Sequence, residues 1–146
     1  MISLTIKIVP VPKGRPRAAM IANRPSLYTP KTTRDYEKAV ADEMRLAMAG
    51  KPMMDGPLAC AVHVYLPIPQ SWSKKRKSAA AARKIMHTGR GDGDNFQKAV
   101  WDAATGVLFK DDGQIVWWMG SKQYSDEPHV KINVWRWRCD YETENL

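Results

Sequence analysis

A chain of 146 residues has room for one domain with a single core. At 44% hydrophobic and 26% charged it is not a disordered polyelectrolyte, and no apolar run approaches the roughly 20 residues needed to span a bilayer. The net charge of +8 is uneven: residues 1–90 hold 17 Lys and Arg against 5 Asp and Glu, whereas residues 91–146 hold 6 against 10.

Ile2, Leu4, Ile6 and Ile8 alternate with Ser3, Thr5 and Lys7. The period predicts a strand over 2–9, stopped by Pro10 and Pro12, and is unlike the apolar block of a signal peptide. Lys13-Gly14-Arg15-Pro16-Arg17 follows as a basic loop, and residues 18–30, aperiodic and holding Pro25 and Pro30, read as further loop. Thr32 or Thr33 can cap a helix to Ala49 whose apolar stripe is Tyr36, Val40, Met44, Ala47 and Met48. A strand over 58–66 is closed by Pro67 and Pro69. Ser71-Trp72-Ser73 opens a basic, alanine-rich helix over 74–86. A helix over 95–105 has Asp94 as its N-cap and Gly106 beyond its end. Residues 114–122 and 129–138 read as two strands of a hairpin joined by Ser125-Asp126-Glu127-Pro128.

The order β-α-β-(α)-α-β-β implies one α/β (α+β) domain over 1–146, a mixed sheet of about four strands packed by two or three helices. Residues 140–146 read as a frayed tail. Cys60 and Cys139 lack any CxxC or Cys/His neighbourhood and fit reduced, buried or incidental thiols of a cytosolic protein. His63, His87 and His129 are scattered, and His63 and His129, in strand-like runs, read as core or surface imidazoles.

The densest chemical signal is Gly91-Asp92-Gly93-Asp94-Asn95-Phe96-Gln97-Lys98, followed by Asp102 and by Asp111-Asp112-Gly113-Gln114. In extended chain, residues two apart point to one side, so Asp92 and Asp94 can aim at one point, and flanking glycines leave the approach open. On the helix, Lys98 and Asp102 continue the face of Asp94, opposite the stripe of Phe96, Val100, Ala103 and Ala104. A short return segment can bring Asp112 beside them. Clustered carboxylates repel unless a cation joins them, and all-oxygen ligands suit Mg²⁺ or Mn²⁺. The pattern therefore points to metal-dependent phosphoryl transfer, with Lys98 neutralising charge on the phosphate or leaving oxygen. The same residue pairs are also turn-formers: Asp94 can be only a cap, and Asp111-Asp112-Gly113 only a turn. A calcium loop is disfavoured, because Phe96 and Gln97 stand where an oxygen ligand and a glycine belong.

Residues 91–115, Gly-Asp-x-Asp-Asn-x-x-Lys-Ala-x-x-Asp-Ala-x-x-Gly-x-x-x-x-Asp-Asp-x-Gln-Ile, resemble the signature of RusA-type Holliday-junction resolvases. The resemblance extends over about residues 4–136, through Pro12-Lys13-Gly14-Arg15-Pro16-Arg17, Tyr28-Thr29-Pro30, Pro67-x-Pro69-x-Ser71-Trp72-Ser73 and Lys122-x-Tyr124. It implies a small homodimeric endonuclease that resolves four-way DNA junctions in recombination and repair, using Mg²⁺ or Mn²⁺ and no small-molecule cofactor. By that match Asp92, Asp94 and Asp112 are metal carboxylates, Lys98 is the catalytic lysine and Asp111 is an adjacent acid that assists. A cytoplasmic setting and frequent phage or prophage origin come with the family. The segment 71–90 is longer than the connection in its smallest members.

Other basic features fit a DNA surface. Lys13, Arg15 and Arg17 flank a glycine whose backbone can approach phosphate, and Lys74, Lys75, Arg76 and Lys77, with Arg83-Lys84, can track a second arm; the alternatives are a simple surface loop over 13–17 and a solvated charge face over 74–77. Most of Trp117, Trp118, Trp135 and Trp137 fit core or dimer-interface positions, with base stacking as the alternative. Two further readings stand beside the resolvase: a non-catalytic DNA-binding accessory protein, and a general branched-DNA nuclease. The first needs the basic arm but not the acids, which repel phosphate unless a cation intervenes.

Overall fold

The structure, a computed structural model, describes residues 1–138; the tail over 140–146 and Cys139 lie outside the described residues. Strand β4 (Leu58–Pro67) is its spine. Its residues are buried from Leu58 to Leu66 except at His63, the signature of a central strand covered on both faces. Beside it lie β5 (Ile115–Ser125), parallel, and β6 (His129–Arg136), antiparallel. Strand β1 (Ile2–Ile6) pairs antiparallel with β6, giving a mixed four-stranded sheet of order β1-β6-β4-β5. Helices α1 (Lys31–Met48) and α3 (Gly93–Ala104) pack on the face presenting Cys60, Val62, Val64, Val130, Ile132 and Val134. Burying each such Val fully is worth about 1.5–3 kcal/mol. Burial pushes the Cys60 thiol up to about 11, which fits a reduced, inert cysteine.

The expected architecture is present, with four corrections. First, β5 and β6 form no hairpin with each other: β4 lies between them. Their connection spans two strand spacings, roughly 10 Å, within reach of three extended residues. Local turn chemistry pointed to pairing, but the most apolar strand takes the centre. Second, residues 18–30 are not loop throughout. They contain a two-stranded hairpin, β2 (Arg17–Ile21) and β3 (Arg24–Tyr28), turned by Ala22 and Asn23 at φ 50° and 58°. Two positive φ values match the twist of a tight hairpin. Pro25 pairs with Met20, next to the turn-flanking pair Ile21 and Arg24. Antiparallel pairs alternate between bonded and unbonded, so a proline in the unbonded pair costs the ladder nothing.

Third, α1 begins at Lys31 with Pro30 as its N-cap residue, not with a threonine cap; buried Thr33 instead accepts the Gly14 backbone N–H at 3.1 Å on its Oγ1. Fourth, α2 (Lys74–Ala81) is shorter than 74–86. Ser73 caps it as expected, its Oγ accepting from the Arg76 N–H. It ends because Arg83 takes φ 61°, with the Arg83 and Lys84 amides closing onto the carbonyls of Ala80 and Ala79.

The tryptophans of β5 are not core. Trp117 and Trp118 are 37% and 56% exposed and, being successive in a strand, leave on opposite faces. Trp117 lies against Trp135 and Trp137 at ring separations of 5.8 and 6.0 Å, whereas Trp118 meets Trp101 of α3 edge-on at 5.9 Å. His129 stacks on Tyr65, and His63 shares a hydrogen bond with Ser121, both structural placements. Among the described residues no helix is long and apolar enough to cross a membrane.

Candidate active site

The acidic cluster begins at a glycine. Gly91 has φ 97°, and a Cβ there would lie 2.5 Å from the Phe96 ring, so only glycine permits both the turn and the close packing of α3. The helix starts at Gly93, two residues before the expected position, with Asp92 as its N-cap residue. Asp92 makes no side-chain cap bond. Asp94 sits in the first turn, its Oδ1 accepting the Asn95 N–H at 2.9 Å. The expectation that Asp94 is the cap is thereby corrected. Both side chains are exposed, and among the described residues neither has a basic partner within 4.0 Å.

Lys98, one turn on, does not pair back to Asp94. Its Nζ contacts Asp112 Oδ2 and lies 3.3 Å from Asp102 Oδ1. Asp112 opens a 3₁₀ turn over Asp112–Gln114 that precedes β5. Thus the chain, having left α3, returns a carboxylate to the face of that helix. The hydrogen bond to Asp112 raises the Lys98 pKa above its ordinary value, with Asp102 adding to the effect. Lys98 therefore stays an ammonium throughout the neutral range.

The ion-pair chain continues inward. Asp102 Oδ2 accepts from Lys13, whose Nζ also lies 3.6 Å from Glu37 Oε1 of α1. The Lys13, Asp102 and Glu37 side chains are each a quarter exposed or less. Burial pushes the Glu37 carboxyl up, against the pull of Lys13, and its Oε1 has no hydrogen-bond partner. Glu37, Lys13, Asp102, Lys98 and Asp112 form one alternating series of charges across α1, the basic loop, α3 and the 3₁₀ turn. Sequence reasoning missed Glu37. Its only signal is its place next to Tyr36 on the buried side of α1, and a contact to Lys13 across 24 residues leaves no local periodicity.

Asp111 has a different task. Its Oδ1 accepts the Gly113 N–H at 2.7 Å, while Gln114 Oε1 accepts the Lys110 and Asp111 amides at 3.0 and 3.1 Å. This reciprocal capping shapes the turn that presents Asp112. Among the described residues, no three His, Cys, Asp or Glu side chains converge closely enough to hold a metal ion. The donor chemistry of Asp92, Asp94 and Asp112 is all-oxygen and anionic, which suits a hard divalent cation, and Asp112 already carries one cation, the Lys98 ammonium.

The basic loop runs beside this cluster, its Lys13 amide donating to the Asn95 carbonyl at 2.9 Å. The Lys13 side chain turns inward to Asp102 and Glu37, which leaves Arg15 and Arg17 as the exposed cations of the loop. On α2, Lys74, Lys75 and Arg76 are exposed and Lys77 is half-buried; the Arg76 guanidinium covers the Trp72 ring at 3.7 Å. Trp72 and His87 both pack on Tyr124, fastening the 71–90 segment to β5. Lys122 of β5 donates to the Gly91 carbonyl at 2.8 Å and so ties β5 to the turn before Asp92.

The family described as Endodeoxyribonuclease RusA matches residues 7–135. The Uncharacterized protein YqaN of Bacillus subtilis (strain 168) is 34% identical over 137 residues, covering 91% of this chain and 94% of that protein. With the family match running from the residue after β1 into β6 and taking in the whole acidic cluster, the chain belongs to the RusA endodeoxyribonuclease family.

Proposed function

We propose that this protein is a homodimeric, Mg²⁺-dependent endodeoxyribonuclease that resolves four-way DNA junctions by hydrolysing phosphodiester bonds in two opposing strands. The observation that carries this reading is the Lys98 ammonium on Asp112 and near Asp102, on the face of α3 whose first turn holds Asp94 and whose cap is Asp92. A non-catalytic DNA-binding protein has no use for such acids beside a basic surface, since carboxylates repel phosphate. Asp92, Asp94 and Asp112 would hold the metal, with Asp111 shaping the turn behind Asp112. A divalent ion bound there supplies charge neutralisation at the scissile phosphate and acidifies water.

The chain's own residues do the rest. Lys98, held protonated, stabilises negative charge that grows on the phosphate and the leaving oxygen. Arg15 and Arg17, with Lys74, Lys75, Arg76 and Lys77, neutralise flanking phosphates irrespective of sequence. Lys13, already paired, positions the loop rather than reaching DNA. Two copies related by a two-fold axis would set two such sites against a substrate of approximate two-fold symmetry.

Metal dependence is tested by adding Mg²⁺, Mn²⁺ or EDTA to protein and labelled junction. Cleavage is expected with either metal and junction binding is expected to persist in EDTA; undiminished cutting in EDTA would remove the metal from this reading.

A further inference from the structure

Trp118 is a large apolar side chain, 56% exposed, on an outer strand of the sheet, and its neighbour is the acidic site. Two cavities flank it. One of about 320 Å³ is shared by Asp94, Lys98, Trp101 and Trp118; the other, of about 410 Å³, reaches from Trp118 to Gly93, between Asp92 and Asp94, and to Lys122. Gln97 borders both. Trp101 braces Trp118 edge-on at 5.9 Å. Gly120 lines the larger cavity and has no room for a side chain, which would come within 3.1 Å of Gln97 Oε1 and 2.9 Å of the Val62 carbonyl.

From these features we infer that Trp118, braced by Trp101 and bordered by Gln97, is a subsite for an unstacked nucleobase of the strand whose phosphate lies at the acids. The inference rests on the DNA-cleaving function proposed above. The occupant follows from continuity: one cavity wall is Lys98 and Asp94, so a nucleotide with its phosphate there has its base within reach of the indole. An exposed aromatic face stacks any base, because every base has a π face. The Gln97 amide, a donor and an acceptor, can meet a base edge, and Lys122 adds positive charge at the rim. Trp117, leaving the opposite face of β5 toward Trp135 and Trp137, takes no part.

The test is coupling between the indole and the base. Four-way junctions are made with a single abasic site at each position within two nucleotides of the cleavage point. Their binding to wild type, Trp118→Ala and Trp118→Phe is measured in EDTA, with the elution volume of each protein. Wild type is expected to lose about tenfold affinity for the junction abasic at one position, the range for one base–aromatic stack. Trp118→Ala should lose about tenfold on the intact junction and nothing more on that abasic one, and Trp118→Phe should recover most of the loss. Losses that multiply at every position would overturn the subsite, as would wild-type affinity in Trp118→Ala. A changed elution volume without coupling would assign Trp118 to contact between copies instead. A wild-type protein that neither binds nor cuts any junction would overturn the proposed function along with the subsite.

Discussion

Lys98 of α3 pairs with Asp112, a residue the chain reaches only after leaving that helix and turning back through Val107, Leu108 and Phe109. Those three are buried, and the Phe109 carbonyl accepts the Gly106 N–H at 2.8 Å. The return is therefore anchored in the core, and the ion pair at its end is fixed by packing, although the pair itself is partly exposed.

This anchoring separates a chemical role for Lys98 from a structural one. Partly exposed pairs contribute only about 0.2–1 kcal/mol. Lys98→Ala should therefore cut junctions far more slowly while its melting temperature and junction affinity stay close to wild type. Lys98→Arg should recover activity only in part, since a planar fork does not replace a compact ammonium. The raised pKa means the pair's contribution is complete below the ordinary lysine value of 10.5 and fades only as pH rises through the higher folded value. Single-turnover cleavage beside a thermal melt measures both effects, and wild-type cleavage by Lys98→Ala would reduce Lys98 to a surface ion pair.

Asp94→Asn should lower cleavage by about 10²–10³-fold, the range for loss of a key electrostatic group. The helix should survive, because Asp92 holds the cap position and an asparagine Oδ1 can still accept the Asn95 N–H. Junction binding should hold or tighten with one repulsive charge gone. Circular dichroism and a binding titration decide the matter: unfolding, or weaker binding with normal cutting, would contradict a catalytic role for Asp94.

The basic loop divides into two kinds of cation. Arg15→Ala with Arg17→Ala should weaken binding to every DNA shape and flatten its salt dependence by up to about two units of slope. Lys13→Ala should leave that slope unchanged and instead lower the melting temperature, because Asp102 and Glu37 lose their shared partner at a cost of about 1–3 kcal/mol. Equal salt slopes for wild type and the double arginine variant would show that those two residues do not meet phosphate.

Glu37 gives the site a pH signature. A carboxyl raised by burial binds more protons folded than unfolded, so its contribution to stability falls as pH rises from the ordinary value of 4.5 through the raised one. Melting temperatures of wild type and Glu37→Gln, compared across that window, should diverge as pH rises, with the variant gaining relative to wild type. Parallel curves would mean that Glu37 titrates normally.

Much of the fold was legible because it rests on local periodicity. The stripes Tyr36-Val40-Met44-Met48 and Phe96-Val100-Ala103 repeat every three or four residues, and the non-alternating run at 58–66 marked a strand. Strand order was not legible, since β5 and β6 are separated by whichever strand best fills the centre, a choice made by the whole core. The hairpin of β2 and β3 was hidden by Pro25, whose breaking tendency is harmless in one register of a two-stranded pair. Of the acidic cluster, the spacing of Asp92, Asp94 and Lys98 along α3 was readable. The inward turn of Lys13 to Asp102 and Glu37 was not, because it joins residues 89 and 24 positions apart.

Shape selectivity is the core of the proposed function: this acidic site cuts DNA because of the junction's shape. It is tested most directly by single-turnover cleavage of a fixed four-way junction and of a linear duplex carrying the same sequence, both in Mg²⁺, with cut positions mapped on all four strands. Paired cuts in two opposing strands at the branch point and an intact duplex are expected. Equal cutting of the duplex, or cuts in single strands scattered away from the branch, would contradict it.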